Sequence, residues 1–254
     1  MNAMRLTIVG CSGSYPGPES PASCYLLEAE HEGRTWRILL DLGNGSLGAL
    51  QRHADPLTID AVFLSHLHPD HCMDLCGFYV LRKYHPRGSL PPIPVFGPAG
   101  TADRMAQAYD LPPEPGMKEQ FSFGAYDDAV IEVGPFAVTA IRVAHPVPAY
   151  ALQVSAGGRI LTYSGDTAAC PELVEAARGV DLFLCEASFL DGEPNPPGIH
   201  LTGVEAATIA AEAGVSRLML THIPPWHDAN VVHDQASVYF PGVAMAEAGA
   251  SYPV

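Results

Sequence analysis

Positive charge is scarce in this chain. Its 254 residues include 13 lysines and arginines against 28 aspartates and glutamates, which gives a formal net charge of −15. From Glu119 onward, four basic residues face sixteen acidic ones. A protein that binds nucleic acid regardless of sequence needs a basic face that displaces counterions. We therefore expect no nucleic-acid polymer among the partners of this protein.

One short basic stretch departs from this pattern. Residues 81–88 read "LRKYHPRG". The favoured interpretation is a helix that ends there, because cationic side chains stabilise the carboxyl-terminal turn of a helix. The alternative is a contact between this stretch and a phosphate of a substrate.

Paired cysteines and long apolar runs are also missing. The chain has no signal-like basic and apolar start and no apolar run long enough to span a membrane. The cysteine spacing, with Cys72 and Cys76 four apart and no second close pair, does not match a zinc knuckle. We expect reduced thiols in a cytoplasmic protein without a membrane partner. The six cysteines are Cys11, Cys24, Cys72, Cys76, Cys170 and Cys185.

Apolar segments and amphipathic segments alternate in groups along the chain. Strand patterns occur in "MRLTIVG", "TWRILLDLG", "IDAVFLSH", "PVFGP", "AVIEVGPFAVTAIRVAH", "AYALQVSAGGRILTYSGD" and "VDLFLCEASF". Helical patterns lie at residues 45–53, 72–84, 99–109, 171–178 and 202–213. Thr202 with Glu205 has the spacing of a capping box, and Gly214 is placed to end that helix. The order predicts an α+β or α/β fold of sheets covered by helices, in a single domain over residues 1–254.

The segment "SHLHPDHCMDLCG", residues 65–77, concentrates side chains that ligate metals. Unpaired imidazoles are costly to bury, so packing does not explain such a cluster. On an extended segment, His66 and His68 point to the same side. Asp70 and His71 follow Pro69 at the start of a helix, and their side chains are therefore directed to a second metal position beside the first. One stretch thus predicts half of the ligands for two adjacent metals.

Three further candidate ligands each end an apolar run. His145 follows "FAVTAIRVA", Asp166 follows "ILTYSG", and His222 follows "VSRLMLT". Polar residues at strand ends commonly form sites in α/β architectures. Together with residues 66–71 they supply five histidines and two aspartates, which is enough for two metals with a bridging carboxylate. Zinc suits these ligands, and manganese and iron remain alternatives.

These motifs resemble the metallo-β-lactamase fold. The H-x-H-x-D-H stretch, a later histidine, the "SGDT" aspartate and a final histidine carry the resemblance across nearly the whole chain. It implies a four-layer αββα sandwich with two metals at one edge of its sheets. It also implies that one metal binds His66, His68 and His145, that the other binds Asp70, His71 and His222, and that Asp166 bridges them. By the same resemblance, the buried Asp41 orients the histidine loop.

Two short stretches are similar to paired motifs of ribonuclease Z and related phosphodiesterases. They are "CEASF" at 185–189 and "HLTGVEAA" at 200–207. The resemblance implies that Glu186 orients His200, which protonates the leaving alkoxide. The chemistry agrees, because an alkoxide is a poor leaving group and a carboxylate keeps an imidazole protonated near neutrality. Asp70 would accept the proton of the attacking water.

Other features of the chain point to a branch with small substrates. Ribonuclease Z carries a long arm that grips tRNA, whereas only 20 residues separate His145 from Asp166 here. "GCSGSYPGPESPASCYLL", "RHADP", "LHPDHCMDL" and "THIPPW" look closer to bacterial cyclic-nucleotide phosphodiesterases of this fold, such as those acting on cAMP. We therefore predict a cytoplasmic metal-dependent hydrolase that cleaves a small anionic phosphodiester. The resemblance leaves a homodimer open.

Several alternatives stay open at the level of sequence. The chain could process tRNA 3′ ends, or hydrolyse a thioester, lactone or lactam, for which the Glu186–His200 pair brings no benefit. A metal-binding module without catalysis is disfavoured because no ligand position is substituted. A few small and aromatic residues are candidates to line the substrate mouth, although turn formation or loop packing explains them equally well or better. They are Ser12, Gly13, Ser14, Tyr15, Gly17, Ser23 and Trp226.

Overall fold

Two β-sheets form the centre of the structure, a computed structural model that describes residues 4–254. The first sheet contains strands from the first half of the chain and the final strand. They are β1 (Arg5–Gly10), β2 (Cys24–His31), β3 (Arg34–Leu40), β4 (Ala61–Phe63), β5 (Ile93–Gly97), β6 (Phe121–Ala125) and β14 (Ser251–Pro253). Their spatial order is β14-β1-β2-β3-β4-β5-β6.

The second sheet is built from the remaining strands of the second half. They are β7 (Ile131–Val133), β8 (Phe136–Arg142), β9 (Tyr150–Ala156), β10 (Arg159–Tyr163), β11 (Leu182–Glu186), β12 (Leu218–Thr221) and β13 (Ala244–Met245). Their spatial order is β13-β12-β11-β10-β9-β8-β7. Strands β7 to β10 form two antiparallel hairpins, as the glycine turns in the sequence predict.

Helices cover the outer faces of both sheets. They are α1 (Ser46–Leu50), α2 (Pro69–Cys72), α3 (Leu75–Lys83), α4 (Thr101–Ala108), α5 (Pro171–Ala177), α6 (Gly203–Ala213) and α7 (Ala229–Ser237). A 3₁₀ turn at Pro56–Thr58 precedes β4. Helices α1, α3 and α4 pack on the first sheet, and α5, α6 and α7 pack on the second.

Alternating side chains explain why the sheets stack. In β2, Leu27 points into the layer between the sheets, while Leu26 packs under the helices of the first half. In β11, Leu184 likewise points into the layer between the sheets, while Phe183 packs under α5 and α6. A strand that is buried on both faces needs apolar residues at nearly every position. The predicted four-layer αββα sandwich, the metallo-β-lactamase fold, is confirmed.

Parallel strands bring several chain turns to one edge of the sandwich. Strands β3 to β6 run parallel in the first sheet, and β10 to β13 run parallel in the second. The carboxyl ends of parallel strands meet at the same edge of a sheet, and sites in α/β proteins form there. The loops that follow β4, β10 and β12 contain most of the predicted metal ligands.

Four of the five predicted helices form close to their predicted limits, and the fifth is divided. The pattern at 72–84 predicts one helix, but α2 ends at Cys72 and α3 begins at Leu75. The carboxylate of Asp74, between the two helices, accepts a hydrogen bond from the Leu47 amide at 2.8 Å and joins this break to α1. Cys72 and Cys76 therefore lie on different helices, not on one face of a single helix.

Helix α6 has the ends that its sequence predicts. Thr202 and Glu205 form a capping box, and Gly214 adopts a left-handed conformation at the other end. Helix α7 was not predicted, because only Val232 and Ala236 are buried along it and its apolar periodicity is weak. The six cysteines are free. Within residues 4–254, no helix is both long and apolar enough to cross a lipid bilayer.

Candidate metal centre

The seven predicted ligands lie together at the carboxyl edge of the sandwich. Their ligand atoms form two groups, in each of which all atoms lie within 4.8 Å of one another. Asp166 belongs to both groups, which is the arrangement expected of a bridging residue. The first group is His66, His68, His145 and Asp166, and the second is Asp70, His71, Asp166 and His222. The grouping matches the one implied by the sequence resemblance.

The loop after β4 presents four of these side chains from one short segment. His68 remains extended, with φ −69° and ψ 150°, and so shares a direction with His66. Pro69 begins α2, a position where its missing N–H costs no helical hydrogen bond. The turn of helix then directs Asp70 and His71 to the second group of ligand atoms.

Imidazole nitrogens in the first group approach one another closely. His66 Nε2 lies 3.0 Å from His68 Nδ1, and His145 Nε2 lies 3.3 Å from the same atom. Asp166 Oδ2 lies 3.5 Å from His66 Nε2. These nitrogen atoms therefore surround one point beside an oxygen of Asp166.

The second group shares that carboxylate. Asp166 Oδ1 lies 3.2 Å from His71 Nε2 and 3.4 Å from His222 Nε2. Asp70 Oδ2 lies 3.2 Å from His222 Nε2 and 3.4 Å from His71 Nε2. Asp166 is nearly fully buried.

Asp41 holds the histidine loop through several hydrogen bonds. Its Oδ1 accepts the Ser65 amide at 2.6 Å. Its Oδ2 accepts the Ser65 hydroxyl at 2.8 Å, the Tyr163 hydroxyl at 2.8 Å and His71 Nδ1 at 2.7 Å. Since the Ser65 hydroxyl donates to Asp41, it accepts from His66 Nδ1 at 3.1 Å. Both rings thus direct Nδ1 to these partners and turn Nε2 toward the other ligand atoms.

Two other ligand histidines are bound at Nδ1 in the same way. His145 Nδ1 donates to the Ile199 carbonyl at 2.9 Å. Ser188 Oγ donates to the carbonyl of His222 at 2.8 Å and accepts from Nδ1 of the same residue at 2.8 Å. Hydrogen bonds to the outer nitrogen are the usual way in which proteins orient metal-binding histidines.

The donor set fits a pair of divalent cations. Nε2 of His71 lies 3.1 Å from Nε2 of His222, and the Nδ1 atoms of both rings are already bound to other partners. Asp166 Oδ1 is buried and accepts no hydrogen bond from residues 4–254. Electron-rich nitrogen and carboxylate atoms that converge in a buried site need a positive charge between them, which a metal cation supplies. Imidazole and carboxylate are ligands that zinc accepts, and manganese and iron share them.

Burial and neighbouring charges shift the pKa values of these ligands in different directions. Burial would lower the pKa of His71, but Asp166, Asp41 and Asp70 outweigh it and raise the pKa well above its ordinary value, so this point of the site attracts positive charge. Burial lowers the pKa of His66 well below its ordinary value, which keeps the ring neutral. Burial alone would raise the pKa of Asp166, but His222, His71 and His66 outweigh it and hold the pKa well below the usual range. Neutral imidazole and ionised carboxylate are the forms that bind metals.

A second carboxylate–imidazole pair lies beside the two groups. Glu186 Oε1 accepts from His200 Nδ1 at 2.8 Å, and His200 Nδ1 lies 4.0 Å from Asp166 Oδ2. The Glu186 side chain is buried at the end of β11 and is fixed by the amides of Thr167 and Ser188. Burial would lower the pKa of His200, but the Glu186 carboxylate outweighs burial and raises the pKa to about 9. Glu186 therefore favours the protonated form of His200.

A small pocket opens against the metal ligand His68. It has a volume of about 340 Å³ and mostly apolar walls. Arg104 of α4 is the one arginine or lysine that lines it. No carboxylate in the described part of the chain forms an ion pair with Arg104, so its charge is available to an anionic group.

The first loop of the chain also reaches the candidate centre. The Ser14 amide lies 3.5 Å from His222 Nε2, and a Cβ added to Gly13 would lie 2.2 Å from the His222 carbonyl oxygen. Tyr15 and Trp226 contact each other with ring centroids 5.3 Å apart and are 44% and 59% exposed. Loop packing therefore leaves both rings open to solvent.

The other small residues of this loop form its turns. Ser12 Oγ donates to the Tyr15 carbonyl at 2.7 Å. Gly17 packs against Pro225, and the Ser23 side chain is buried beneath the loop. A role in loop structure accounts for these three residues.

The layered fold and the clustered His and Asp side chains define a class of metallo-hydrolases, and comparison with known proteins gives the family. The chain belongs to the β-lactamase superfamily, because the profile of the Beta-lactamase superfamily domain matches residues 36–223. The crystal structure of the metallo-β-lactamase fold protein YhfI from Bacillus subtilis superposes with a TM-score of 0.87 at 25% identity and covers all of both chains.

Two sequence relatives share a higher percentage of identical residues with the chain than YhfI does. Uncharacterized protein Rv1339 of Mycobacterium tuberculosis is 45% identical over 246 residues, which cover 94% of this chain and 88% of that protein. A ribonuclease Z of Myxococcus xanthus is 30% identical over 282 residues, which cover 91% of this chain and 90% of that protein. The chain is thus related to a ribonuclease Z over most of its length.

Sequence reasoning missed the residues that orient the ligands and one that lines the pocket. Ser65 and Ser188 lie inside the motifs that contain His66 and Glu186. Their positions beside these site residues could have identified them in the sequence. Tyr163 and Arg104 have no such signal, because their contacts join distant parts of the chain. Helix α4, which carries Arg104, meets His68 only in the folded protein.

Proposed function

We propose that this protein is a two-metal phosphodiesterase that hydrolyses a small phosphodiester, with a cyclic nucleotide such as cAMP as the best candidate. The observation that carries the proposal is the Glu186–His200 hydrogen bond of 2.8 Å beside the candidate metal centre. Hydrolysis of a lactam or thioester gains nothing from this pair. Cleavage of an alkoxide from phosphorus does, because the leaving oxygen is strongly basic and needs a proton.

His200 supplies that proton in the proposed reaction. Its Nδ1 is bound by Glu186, so Nε2 is the atom left to donate toward the leaving oxygen. The His200 side chain is only 13% exposed, whereas Glu186 is fully buried. This geometry orients the ring and stabilises its protonated form, which makes Glu186 a positioning residue and His200 the general acid.

The metals take the ligands that the two groups offer. His66, His68 and His145 would hold one ion, Asp70, His71 and His222 the other, and Asp166 both. When bound, the two ions would supply Lewis acidity toward phosphoryl oxygens and would make the attacking water more acidic. Asp70, whose Oδ2 belongs to the second group, would accept the proton of the attacking water.

Pocket size and charge support a small anionic substrate. A volume of about 340 Å³ lies within the range of small-molecule sites. Arg104 offers a guanidinium, whose planar set of donors matches a phosphate. The segment between His145 and Asp166 holds the β9–β10 hairpin and its two connections, so no arm for a polynucleotide arises there.

A comparison of two leaving groups tests the role of His200. His200→Ala should lower kcat for cAMP by about 100-fold or more, since general acids contribute on that order. The same variant should lose less than about tenfold with bis(4-nitrophenyl) phosphate, because nitrophenolate leaves without a proton. His233→Ala, which removes a histidine from α7 that is 40% exposed, serves as the matched control and should retain both activities.

Equal losses on the two substrates would remove the assignment of His200. Failure of the zinc-loaded or manganese-loaded protein to hydrolyse any phosphodiester, with turnover of acyl esters instead, would overturn the proposed function as a whole.

Processing of tRNA 3′ ends is a second candidate function, favoured by the 30% identity to the ribonuclease Z of Myxococcus xanthus. That activity needs binding to the tRNA backbone, and the acidic surface opposes it. Electrophoretic mobility shifts with tRNA at low salt decide between the two. Retention that declines steeply with salt would favour processing, and no retention would exclude it.

A further inference from the structure

Four of the 13 basic residues of the chain line one cleft far from the candidate metal centre. The cleft has a volume of about 840 Å³ and lies between the start of β3, the turn before β4 and the loop that joins α3 to β5. Its arginines are Arg34, Arg37, Arg82 and Arg87. Asp60 is the one acidic residue that lines it.

Strand direction separates this cleft from the metal centre. Strands β3, β4 and β5 are parallel, and the cleft is lined by residues at or just before their amino-terminal ends. The loop that carries His66 and His68 follows the carboxyl-terminal end of β4, and Asp41, which holds that loop, follows the carboxyl-terminal end of β3. Seven residues of β3 span roughly 20 Å, so the two places lie at opposite edges of the first sheet.

Two of the four arginines already have a carboxylate partner. Arg34 Nη2 lies 2.8 Å from Asp60 Oδ1, and Arg37 Nε lies 2.9 Å from Glu28 Oε1. Arg34 also stacks on Trp36, with its Cζ 3.4 Å from the ring centroid. Thr35, on the wall of the cleft, donates its hydroxyl to Glu30 of β2, which brings one more carboxylate to the rim.

The other two arginines leave positive charge uncompensated. Arg82 is 3% exposed, and within the described residues it forms no ion pair and its Nε has no hydrogen-bond partner. Its Nη2 donates to the Pro91 carbonyl, and its Cζ lies 5.5 Å from the Phe78 ring centroid. Arg87 is exposed and likewise forms no ion pair within residues 4–254. A buried guanidinium without a counter-ion is costly, and an anion in the cleft would supply that counter-ion.

We propose that this cleft binds a small organic phosphate of about nucleotide size. A phosphate dianion matches the two uncompensated arginines in charge, and its oxygens match the donor geometry of guanidinium groups. Leu57, Ile59, Leu90 and Ile93 add apolar walls for the organic part of the ligand. This inference does not depend on the reaction at the metal centre.

Calorimetric titration of the metal-loaded protein with adenosine 5′-monophosphate tests the proposal. We expect two binding events in the wild-type protein, one at the metals and one at the cleft. Arg87→Ala should weaken one event about tenfold, the effect of losing one charge-assisted hydrogen bond, and should leave the other unchanged. Arg52→Ala removes an exposed arginine outside the cleft and should change neither.

A local probe assigns the weakened event to the cleft. In a Trp226→Phe background, Trp36 is the one remaining tryptophan of the chain and lies under Arg34. Its fluorescence should change with the event that Arg87→Ala weakens. Because Arg82 also anchors the loop through Pro91, Arg82→Gln, which keeps an amide donor, is the second variant and should weaken the same event.

Three results would overturn the proposal. The first is a single binding event, at the metals, in the wild-type protein. The second is equal binding of succinate, which would show general affinity for anions. The third is much tighter binding of a single-stranded oligonucleotide, which would make the cleft a nucleic-acid contact. Each is independent of turnover, so loss of the proposed phosphodiesterase activity would leave this test intact.

Discussion

Four of the five ligand histidines have a hydrogen-bond partner on Nδ1, the ring nitrogen that faces away from the other ligand atoms. Asp41 forms the most contacts of this kind, because its carboxylate accepts hydrogen bonds from Ser65, His71 and Tyr163. Its own φ is +61°, a conformation that a non-glycine residue adopts only where its surroundings hold it. His222 has a similar φ of +58°. Strain of this kind at two site residues indicates that ligand position is maintained at the expense of local stability.

Asp41→Asn should lower metal affinity while leaving the fold in place. An amide NH₂ group cannot accept the hydrogen bonds that the carboxylate accepts, so His71 loses the partner that sets its tautomer. Loss of such an outer partner typically costs about 10- to 100-fold in metal affinity. Competition with a chelating dye measures this change.

Asp228→Asn is the matched control for that substitution. Asp228 caps α7 far along the chain, and asparagine caps a helix equally well. Metal affinity that is unchanged in Asp41→Asn would mean that Asp41 serves only the backbone turn after β3.

Arg104→Ala should act on substrate binding and not on the chemical step. We expect KM for cAMP to rise about tenfold, the effect of losing one hydrogen bond to a charged group, with a smaller change in kcat. Steady-state kinetics give both values. The substitution Arg52→Ala removes an equal charge elsewhere, and a similar rise in KM there would point to a general field effect.

At the scale of elements, the site depends on close contact between loops. A Cβ added to Gly43, which follows β3 and Leu42, would lie 1.9 Å from the Asp70 carbonyl oxygen. A Cβ on Gly165, before Asp166, would lie 2.7 Å from the Tyr150 carbonyl oxygen. Glycine at these two positions allows separate loops to meet backbone to backbone, which is how ligands from distant segments come within reach of one another.

Gly43→Ala should displace the loop that carries Asp70. We expect a loss of about 3 kcal/mol in the free energy of unfolding, as for overpacked sites, together with weaker metal binding. Denaturant titration and metal analysis provide the two measurements. Gly48→Ala, in α1 with no atom within 4 Å of the new Cβ, should instead gain about 0.5–1 kcal/mol. Comparable losses of unfolding free energy in both variants would show that the close contact between Gly43 and the Asp70 carbonyl is not the cause.

Helix limits were predicted correctly where the local sequence signal was strong, and wrongly where a tertiary contact determines the helix end. Helix α6 has a capping box at one end and a left-handed glycine at the other, and both signals are local. The break between α2 and α3 is held by Asp74 through the Leu47 amide, a contact across 27 residues. Local periodicity cannot report such a contact, so the pattern predicted one continuous helix.

For the whole molecule, the metal centre joins the two halves of the sandwich. His66, His68, Asp70 and His71 come from a loop of the first sheet. His145, Asp166 and His222 come from loops of the second. Ions held between these loops would therefore connect two sheets that otherwise meet through apolar contacts and a few hydrogen bonds, such as the one from Tyr163 to Asp41.

Removal of the metals should lower the stability of the entire protein. A ligand present at 1,000 times its Kd stabilises the folded state by about 4 kcal/mol, so chelation should lower Tm by on the order of 10 °C for a chain of this size. Differential scanning calorimetry with and without a chelator measures the effect, and added zinc should reverse it. An unchanged Tm would show that the ligand cluster holds no tightly bound ion.

Local sequence was sufficient to identify the candidate metal ligands and most of the strands and helices. Histidine and aspartate spacing between 66 and 71, and the apolar runs before His145, Asp166 and His222, are short-range features that chain geometry translates directly into side-chain direction. The Glu186 and His200 motifs were readable in the same way. The buried strands were readable because burial on both faces requires apolar residues at successive positions.

Tertiary structure alone decided which distant residues meet. Tyr163 reaches Asp41 across 122 residues, Arg104 comes to line the pocket beside His68, and four arginines gather at the opposite edge of the first sheet. Such contacts depend on the stacking of two sheets and on loop paths, which are set by the sum of many packing interactions. No single segment of the chain carries that information, and the arginine cleft could be recognised only after folding.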